Sequence, residues 1–282
     1  MSAGNIFLKT LRKIYAWFEY PHRFLAVRDV LSRPGATVLD IGCGNHSPSL
    51  TKRYFPSCRY EGVDCQTWNR DTADEAAMDR FFPLDLDQPS VLTAIPDAAY
   101  DVIFCSHVLE HLRQPVKVFQ DLLPKLRPGG LLYVEVPSAR SLRFPPARNG
   151  WFGIRGCLNF WDDPTHRSLV SLPQLMEIAQ GHRLTIRQAG RRFLWRRVLF
   201  LPCYMLAGIV LRGYIPASVV WDAVGFAEYF VAQAPPSAIA LPAPHFDTAA
   251  VHAENKLPRE TSENLASSAG HQPESPRNLF PA

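Results

Sequence analysis

The residues best suited to chemistry begin with the run Val38-Leu39-Asp40-Ile41-Gly42-Cys43-Gly44-Asn45-His46-Ser47-Pro48. Val38, Leu39 and Ile41 form the short apolar stretch of a buried parallel strand. Gly42 and Gly44 permit a tight turn and let a ligand reach the backbone without meeting a Cβ. Ser47 suits the N-cap of a following helix, and Pro48 suits its first turn. A strand, a glycine turn and an open helix N-terminus together make a cradle for a nucleotide. A dinucleotide fingerprint would place a third glycine at position 47, where this chain has serine. A phosphate-binding loop would end in Gly-Lys-Ser/Thr, which is absent.

Further along, Asp64 ends the strand expected at Arg59 to Val63, about twenty residues past the glycines. An acid at that place holds the ribose hydroxyls in doubly wound nucleotide folds. Val102-Ile103-Phe104-Cys105 is an apolar strand, and Ser106 and His107 follow it, at the carboxyl edge where such folds bind ligands. His166 lies in a long aromatic connection from Ser138 to Ser168, and a loop of that length in a compact domain is usually functional.

Val38 to Gly44 resembles motif I of the class I S-adenosylmethionine-dependent methyltransferases. The family often carries another glycine where this chain has His46. Tyr100-Asp101-Val102-Ile103 with Ser106-His107-Val108-Leu109-Glu110-His111-Leu112 resembles its fourth motif. Leu126-Arg127-Pro128-Gly129-Gly130-Leu131-Leu132-Tyr133-Val134-Glu135-Val136-Pro137 is similar to the helix–turn–strand that follows it. Asp162-Asp163-Pro164-Thr165-His166-Arg167 resembles a small-molecule subgroup in which the histidine sits near the substrate mouth.

The resemblance implies an α/β, Rossmann-like class I methyltransferase fold. Its sheet has seven mostly parallel strands, an antiparallel last strand and helices on both faces. The implied cofactor is S-adenosyl-L-methionine. Asp40, Gly42 and Gly44 would shape the pocket for its methionyl end, Asp64 would take the ribose and Ser106 would line the edge. An acid after strand three, Asp85 with Asp87 as a rival, would face the adenine. His107 is the first choice for a residue beside the transferring methyl, and His166 the second; either is a candidate general base. Glu110 and His111, one turn on, are expected to cap or brace the next helix. Asp162, Asp163 and His166 are ligand types for a divalent metal. Adjacent loop acids are more often solvated or capping, so no metal is expected.

The elements that must position these residues divide the chain into three parts. Residues 1–34 read as a helical cap of two short helices over the mouth, with Phe7, Leu11, Ile14 and Phe18 at helical spacing. Residues 35–234 form the catalytic domain. Within it, residues 192–222 are an apolar insertion flanked by Arg191, Arg192, Arg196 and Arg197. Val198 to Leu211 is too short to span a bilayer; it suits either the lipid headgroup region or burial against the domain or a partner. Residues 235–282 are rich in Pro, Ala, Ser, Asn and Glu and read as a disordered tail.

Composition narrows the function classes. With 30 Lys and Arg against 26 Asp and Glu, the net charge of +4 does not itself imply nucleic acid. The Asn/Asp-Pro-Pro-Tyr/Phe stretch that holds a flipped base is replaced by Ser106-His107-Val108-Leu109. Six scattered cysteines argue against a zinc site or disulfide scaffold. Met1 to Gly4 is followed by an amphipathic segment rather than the apolar core of a signal peptide. The expected protein is a cytoplasmic methyltransferase, either free or peripheral on the cytoplasmic membrane face, acting on a small acceptor, with apolar and lipid-linked compounds among the candidates. A non-catalytic binder of the same cofactor is the second expectation, and a nucleic-acid methylase a weaker third.

Overall fold

Four buried residues make Thr37–Ile41 the central strand, β1. The computed structural model describes residues 20–66 and 69–236 of the chain. Parallel strands follow as β2 (Arg59–Asp64), β3 (Arg80–Pro83), β4 (Tyr100–Ser106) and β5 (Leu126–Pro137). The short β6 (Ile154–Arg155) and β8 (Ile215–Pro216) pair only with each other. Strand β7 (Thr185–Arg191) and the last strand, β9 (Ala227–Gln233), complete a seven-stranded sheet of order β3-β2-β1-β4-β5-β9-β7. Strand β9 runs antiparallel to both its neighbours. The architecture matches the expectation from the resemblance.

Strand alternation sends side chains to two separate cores. Leu39, Ile41, Ile103, Leu132 and Val134 face the helices α4 (Pro115–Leu122) and α5 (Leu172–Gly181) through Phe119, Leu122, Leu175 and Ile178. Val38, Tyr60, Val102, Phe104 and Tyr133 face α1 (His22–Leu31), which contributes Phe24, Val27 and Leu31. Helix α1 therefore lies across a sheet face and is part of the domain's layer, not a lid over the mouth. The companion helix expected over Phe7 to Phe18, and residues 237–282 of the expected tail, lie outside the described residues.

Two boundaries differ from the sequence reading. Helix α4 stops at Leu122 and continues as a 3-10 turn over Leu123–Lys125, because Pro124 has no N–H to continue the helix. Arg127 to Gly130, expected as a turn before the strand, lies within β5 as an irregularity. Tyr100 pairs with Leu126 and Val102 with Leu131, so the intervening residues bulge out.

The connection after β5 and the apolar insertion fold together. Ala147, Ile154 and Leu158 pack with Ile215, Ala217 and Val220, the last two from α8 (Ala217–Val224). The loop is organised by Asp162. Its buried carboxylate accepts hydrogen bonds from the backbone N–H groups of Ala147, Arg148, Leu158 and Asn159 at 2.7–3.1 Å. Asp162 thus has a structural task and is not available as a metal ligand. The helices α6 (Trp195–Leu199) and α7 (Leu201–Arg212) cover this subdomain, and Leu206, Ile209, Val210 and Leu211 on α7 stay exposed. No helix among the described residues is long and apolar enough to cross a membrane.

Asp162→Ala would leave those amides without an acceptor and should cost on the order of 3 kcal/mol in urea unfolding. Hydrogen exchange should rise selectively over 138–168 and the segment packed on it.

Candidate active site

The strand order reverses between β1 and β4, and in open α/β sheets ligands bind outside the carboxyl ends at that reversal. The candidate residues leave this edge in sequence: Asp85 past β3, Asp64 at the end of β2, Gly42 past β1, and Ser106 at the end of β4. Three strand spacings, about 14 Å, separate the first from the last. That is room for an extended nucleoside with an amino-acid tail.

The glycine turn has a different internal logic from the one its sequence suggested. Gly42 has φ +73°, which favours glycine, and a Cβ there would collide with the side chain of Val108. The missing side chain therefore admits the loop after β4 rather than a ligand. The amides of Gly42 and Cys43 both donate to the Val63 carbonyl, tying the turn to β2. Asn45 and His46 both sit at positive φ, 55° and 58°. Position 46 is thus a left-handed site, which accounts for the family's frequent glycine there. His46 is held by Nδ1 to Asp74 of α3 (Thr72–Ala77) at 2.7 Å.

Asp40 is tied to three neighbours through one carboxylate oxygen. It is buried and accepts from the Ser47 hydroxyl and, at 2.6 Å, from the Tyr60 hydroxyl, with the Arg23 guanidinium 3.6 Å away. Burial pushes its carboxyl up, and Arg23 opposes that shift. Ser47 is accordingly not the helix cap. It is the first residue of α2 (Ser47–Tyr54), whose cap position is His46, and its hydroxyl bridges Arg23 and Asp40. Asp40 thus braces the turn from beneath through its Oδ2. Cys43 is a buried thiol pushed up to about 12 by desolvation, and so is inert.

Among the described residues, the Asp64 carboxylate accepts the Gln66 amide, at 3.1 Å, through one oxygen, and no other described residue bonds it. Asp85 is exposed. Hydrogen bonds from the Asp87 amide and the Gln88 side chain hold its carboxyl below the usual range. Asp87 is taken by the Arg113 amide at 2.8 Å and by the Arg113 and Arg167 guanidinium groups. Of the two rivals, Asp85 is the freer. The Ser106 hydroxyl is buried with no hydrogen-bond partner. A polar atom left so at a ligand edge wants an outside partner.

His107 does not have the geometry of a base. Its Nδ1 meets Glu110 at 3.0 Å and its Nε2 meets Glu135 at 2.9 Å, so both ring nitrogens donate to carboxylates. Burial alone would lower its pKa, but the two hydrogen-bonded carboxylates overcome this and raise it to about 9. Neither nitrogen can accept a proton at neutral pH. Sequence reasoning missed the partners that decide this. Glu135 lies two residues from the end of β5, and it also takes the Tyr133 hydroxyl at 2.5 Å and Arg192 at 2.9 Å. Burial works against its charge, yet Arg192 and then His107 hold its carboxyl far below the usual range. Arg192 continues to Asp222, which faces Arg197.

His166 has the opposite character. Its Nδ1–H donates to the Phe160 carbonyl at 2.6 Å, and burial lowers its pKa. It is neutral at pH 7 with Nε2 unprotonated. Its ring lies 4.7 Å from that of His111.

A family model described as a methyltransferase domain matches residues 8–189. The chain belongs to this methyltransferase family. S-adenosylmethionine is the methyl donor that the family uses. The Asp64 carboxylate, bonded among the described residues by the Gln66 amide alone, and the unpartnered Ser106 hydroxyl on the edge fit such a group. Trans-aconitate 2-methyltransferase of Azoarcus sp. (strain BH72) is 30% identical over 156 residues, 54% of this chain and 52% of that protein. The ubiquinone biosynthesis O-methyltransferase of Paraburkholderia phytofirmans is 31% identical over 101 residues, 35% of this chain and 43% of that protein. The chain thus spans about half the length of these curated relatives. A solved S-adenosylmethionine-dependent methyltransferase from Mesorhizobium loti superposes with TM-score 0.50 at 16% identity, covering 77% of this chain and 99% of that one. That likeness concerns the fold alone.

His107 is protonated up to about 9 in the fold, but only to about 6.5 when unfolded, so its contribution is complete below 6.5 and fades as pH rises through 9. Wild-type stability should fall by up to about 3 kcal/mol over that window, and His107→Gln should remove most of that slope. Glu135, held low, contributes above its unfolded value near 4.5, and that contribution is lost on acidification. Denaturant titrations at fixed pH steps check both arms.

Proposed function

We propose that this protein transfers a methyl group from S-adenosylmethionine to a small acceptor that is apolar or lipid-linked. The observation that carries the reading is the ordered set Asp85, Asp64, Gly42 and Ser106 along one sheet edge at the strand-order reversal. Asp85 would face the adenine and Asp64 would accept hydrogen bonds from the ribose hydroxyls. The turn through Gly42 and Gly44 would seat the methionyl end, beside the Ser106 hydroxyl.

The donor supplies an activated methyl on a sulfonium. The chain's task is to orient the acceptor and exclude water, which by proximity alone gives large acceleration. Phe226 and Trp221, stacked at 4.3 Å, flank the His107 ring and form an aromatic wall there. His107 acts in this reading as a fixed positive post that orients Glu110. His166, with its open Nε2, is the histidine on this side that can still take a partner.

The exposed apolar face of α7, with Phe193, Trp195 and Leu199 beside it, supports an acceptor carried at a lipid surface. Arginines flank it, as at an interfacial helix. Named relatives that methylate quinone-type compounds, such as the 2-methyl-6-phytyl-1,4-hydroquinone methyltransferase of Synechocystis, are compatible with that class.

Labelled donor incubated with the protein and membrane or soluble extracts should yield a labelled small product. Donor binding without any turnover would instead favour a non-catalytic binder. Asp64→Ala should weaken donor affinity at least tenfold by calorimetry, roughly the worth of one to two hydrogen bonds to a charged group, with an unchanged melting temperature. Replacing Leu206, Val210 and Leu211 with glutamate should abolish liposome association while leaving donor affinity intact.

A further inference from the structure

We propose that Glu110, His111 and His166 form a binding site for one divalent transition-metal ion, at the carboxyl edge of β4. One donor atom from each of the three lies within 4.8 Å of the others. Ligands around a tetrahedral zinc stand about 3.4 Å apart, so modest side-chain closure completes the set. By sequence, Asp162 and Asp163 group with His166, and no metal is expected there. The fold spends Asp162 on backbone amides and brings a different carboxylate and a second histidine to His166.

The hydrogen bonds around the three side chains prepare them as ligands. Thr165 donates its hydroxyl proton to Asp163 at 2.6 Å, so toward His111 Nδ1, 2.8 Å away, it acts as the acceptor. The neutral His111 ring therefore carries its proton on Nδ1, which turns Nε2 into the position for a ligand. His166 spends its Nδ1–H on the Phe160 carbonyl and likewise presents Nε2. Partners of this kind fix ring orientation and tautomer in known metal sites. Glu110 is completely buried, its Oε1 takes the His107 proton donor, and its Oε2 has no partner. A buried, unpaired carboxylate oxygen is costly, and a cation would satisfy it. The two chain segments are fastened together at this point, since the amides of Arg167 and Ser168 both approach the Glu110 carbonyl, at 2.8 and 3.4 Å.

The donor set selects the ion. Two imidazoles and one carboxylate suit zinc, ferrous iron or manganese, whereas magnesium and calcium prefer oxygen ligands throughout. The positive His107 lies across the carboxylate from the ion, and Glu135 and Glu110 both offset its charge. Three protein ligands leave open positions. An oxygen acid bound there, such as a phenol or enol, would lose its proton to water more readily. That would supply the deprotonated acceptor that His107 cannot produce. The use of the ion in catalysis rests on the proposed methyl transfer; its binding does not.

The test is calorimetric titration of chelator-treated full-length protein with zinc, with manganese and, under anaerobic conditions, with ferrous iron, in the absence of donor. One equivalent of at least one of these ions should bind. His111→Ala, His166→Ala and Glu110→Gln should each weaken that binding more than about 100-fold, and Thr165→Val about 10- to 100-fold. His46→Ala, in the separate group with Asp71 and Asp74, should leave stoichiometry and affinity unchanged. Absence of binding by folded wild-type protein would overturn the proposal. So would equal affinity in wild type, His111→Ala and His166→Ala, each shown to be folded by circular dichroism. Calorimetry with S-adenosylmethionine on the same samples reports separately on the donor pocket.

Discussion

A buried carboxylate, Glu135, joins the sheet to the subdomain built on it. It accepts from His107 after β4, from Tyr133 on its own strand and from Arg192 after β7. The chain of alternating charge extends through Arg192 to Asp222 in α8 and back to Glu110 through His107. Each of these ions would be costly to bury alone, and the set is tolerable only when every partner is present. Removal of one member would strand its neighbours, so the network fixes the spacing of the elements around the acceptor side of the edge.

A second network governs the donor side. Asp40, buried beneath the glycine turn, gathers Ser47, Tyr60 and Arg23 from α2, β2 and α1. The turn is locked from above by Val108, which occupies the space a side chain at Gly42 would need. The two sides of the edge are thereby coupled: Val108 stands in the chain between His107 and Glu110, and its side chain packs on the donor turn. A metal at Glu110 would sit within a few residues of that contact, on the acceptor side of the same loop.

The apolar insertion is partly buried and partly exposed. Ala217 and Val220 of α8 are buried against the long connection, while the outer face of α7 meets solvent. Its arginines do not all face outward as a lipid-facing reading would want. Arg192 is bound within the buried charge network, and Arg197 stands 3.8 Å from Asp222.

Local sequence was enough for the sheet, the glycine turn and the acids at strand ends. These follow from apolar runs, backbone freedom at glycine and spacing along consecutive βα units, all of which are properties of neighbours in the chain. By the same properties Ser47 reads as a cap and His107 as a candidate base, since each has the right type at the right place. Their actual roles depend on residues far away in sequence: Asp40 and Arg23 for Ser47, and Glu135, 28 positions on, for His107. Likewise, His166 is legible as a functional histidine, but its nearness to Glu110 and His111 arises only when the long connection folds back over the loop after β4. Residue type and spacing determined which groups reach the edge. Tertiary packing decided their protonation and partners, because a group's charge is set by what surrounds it in space rather than along the chain.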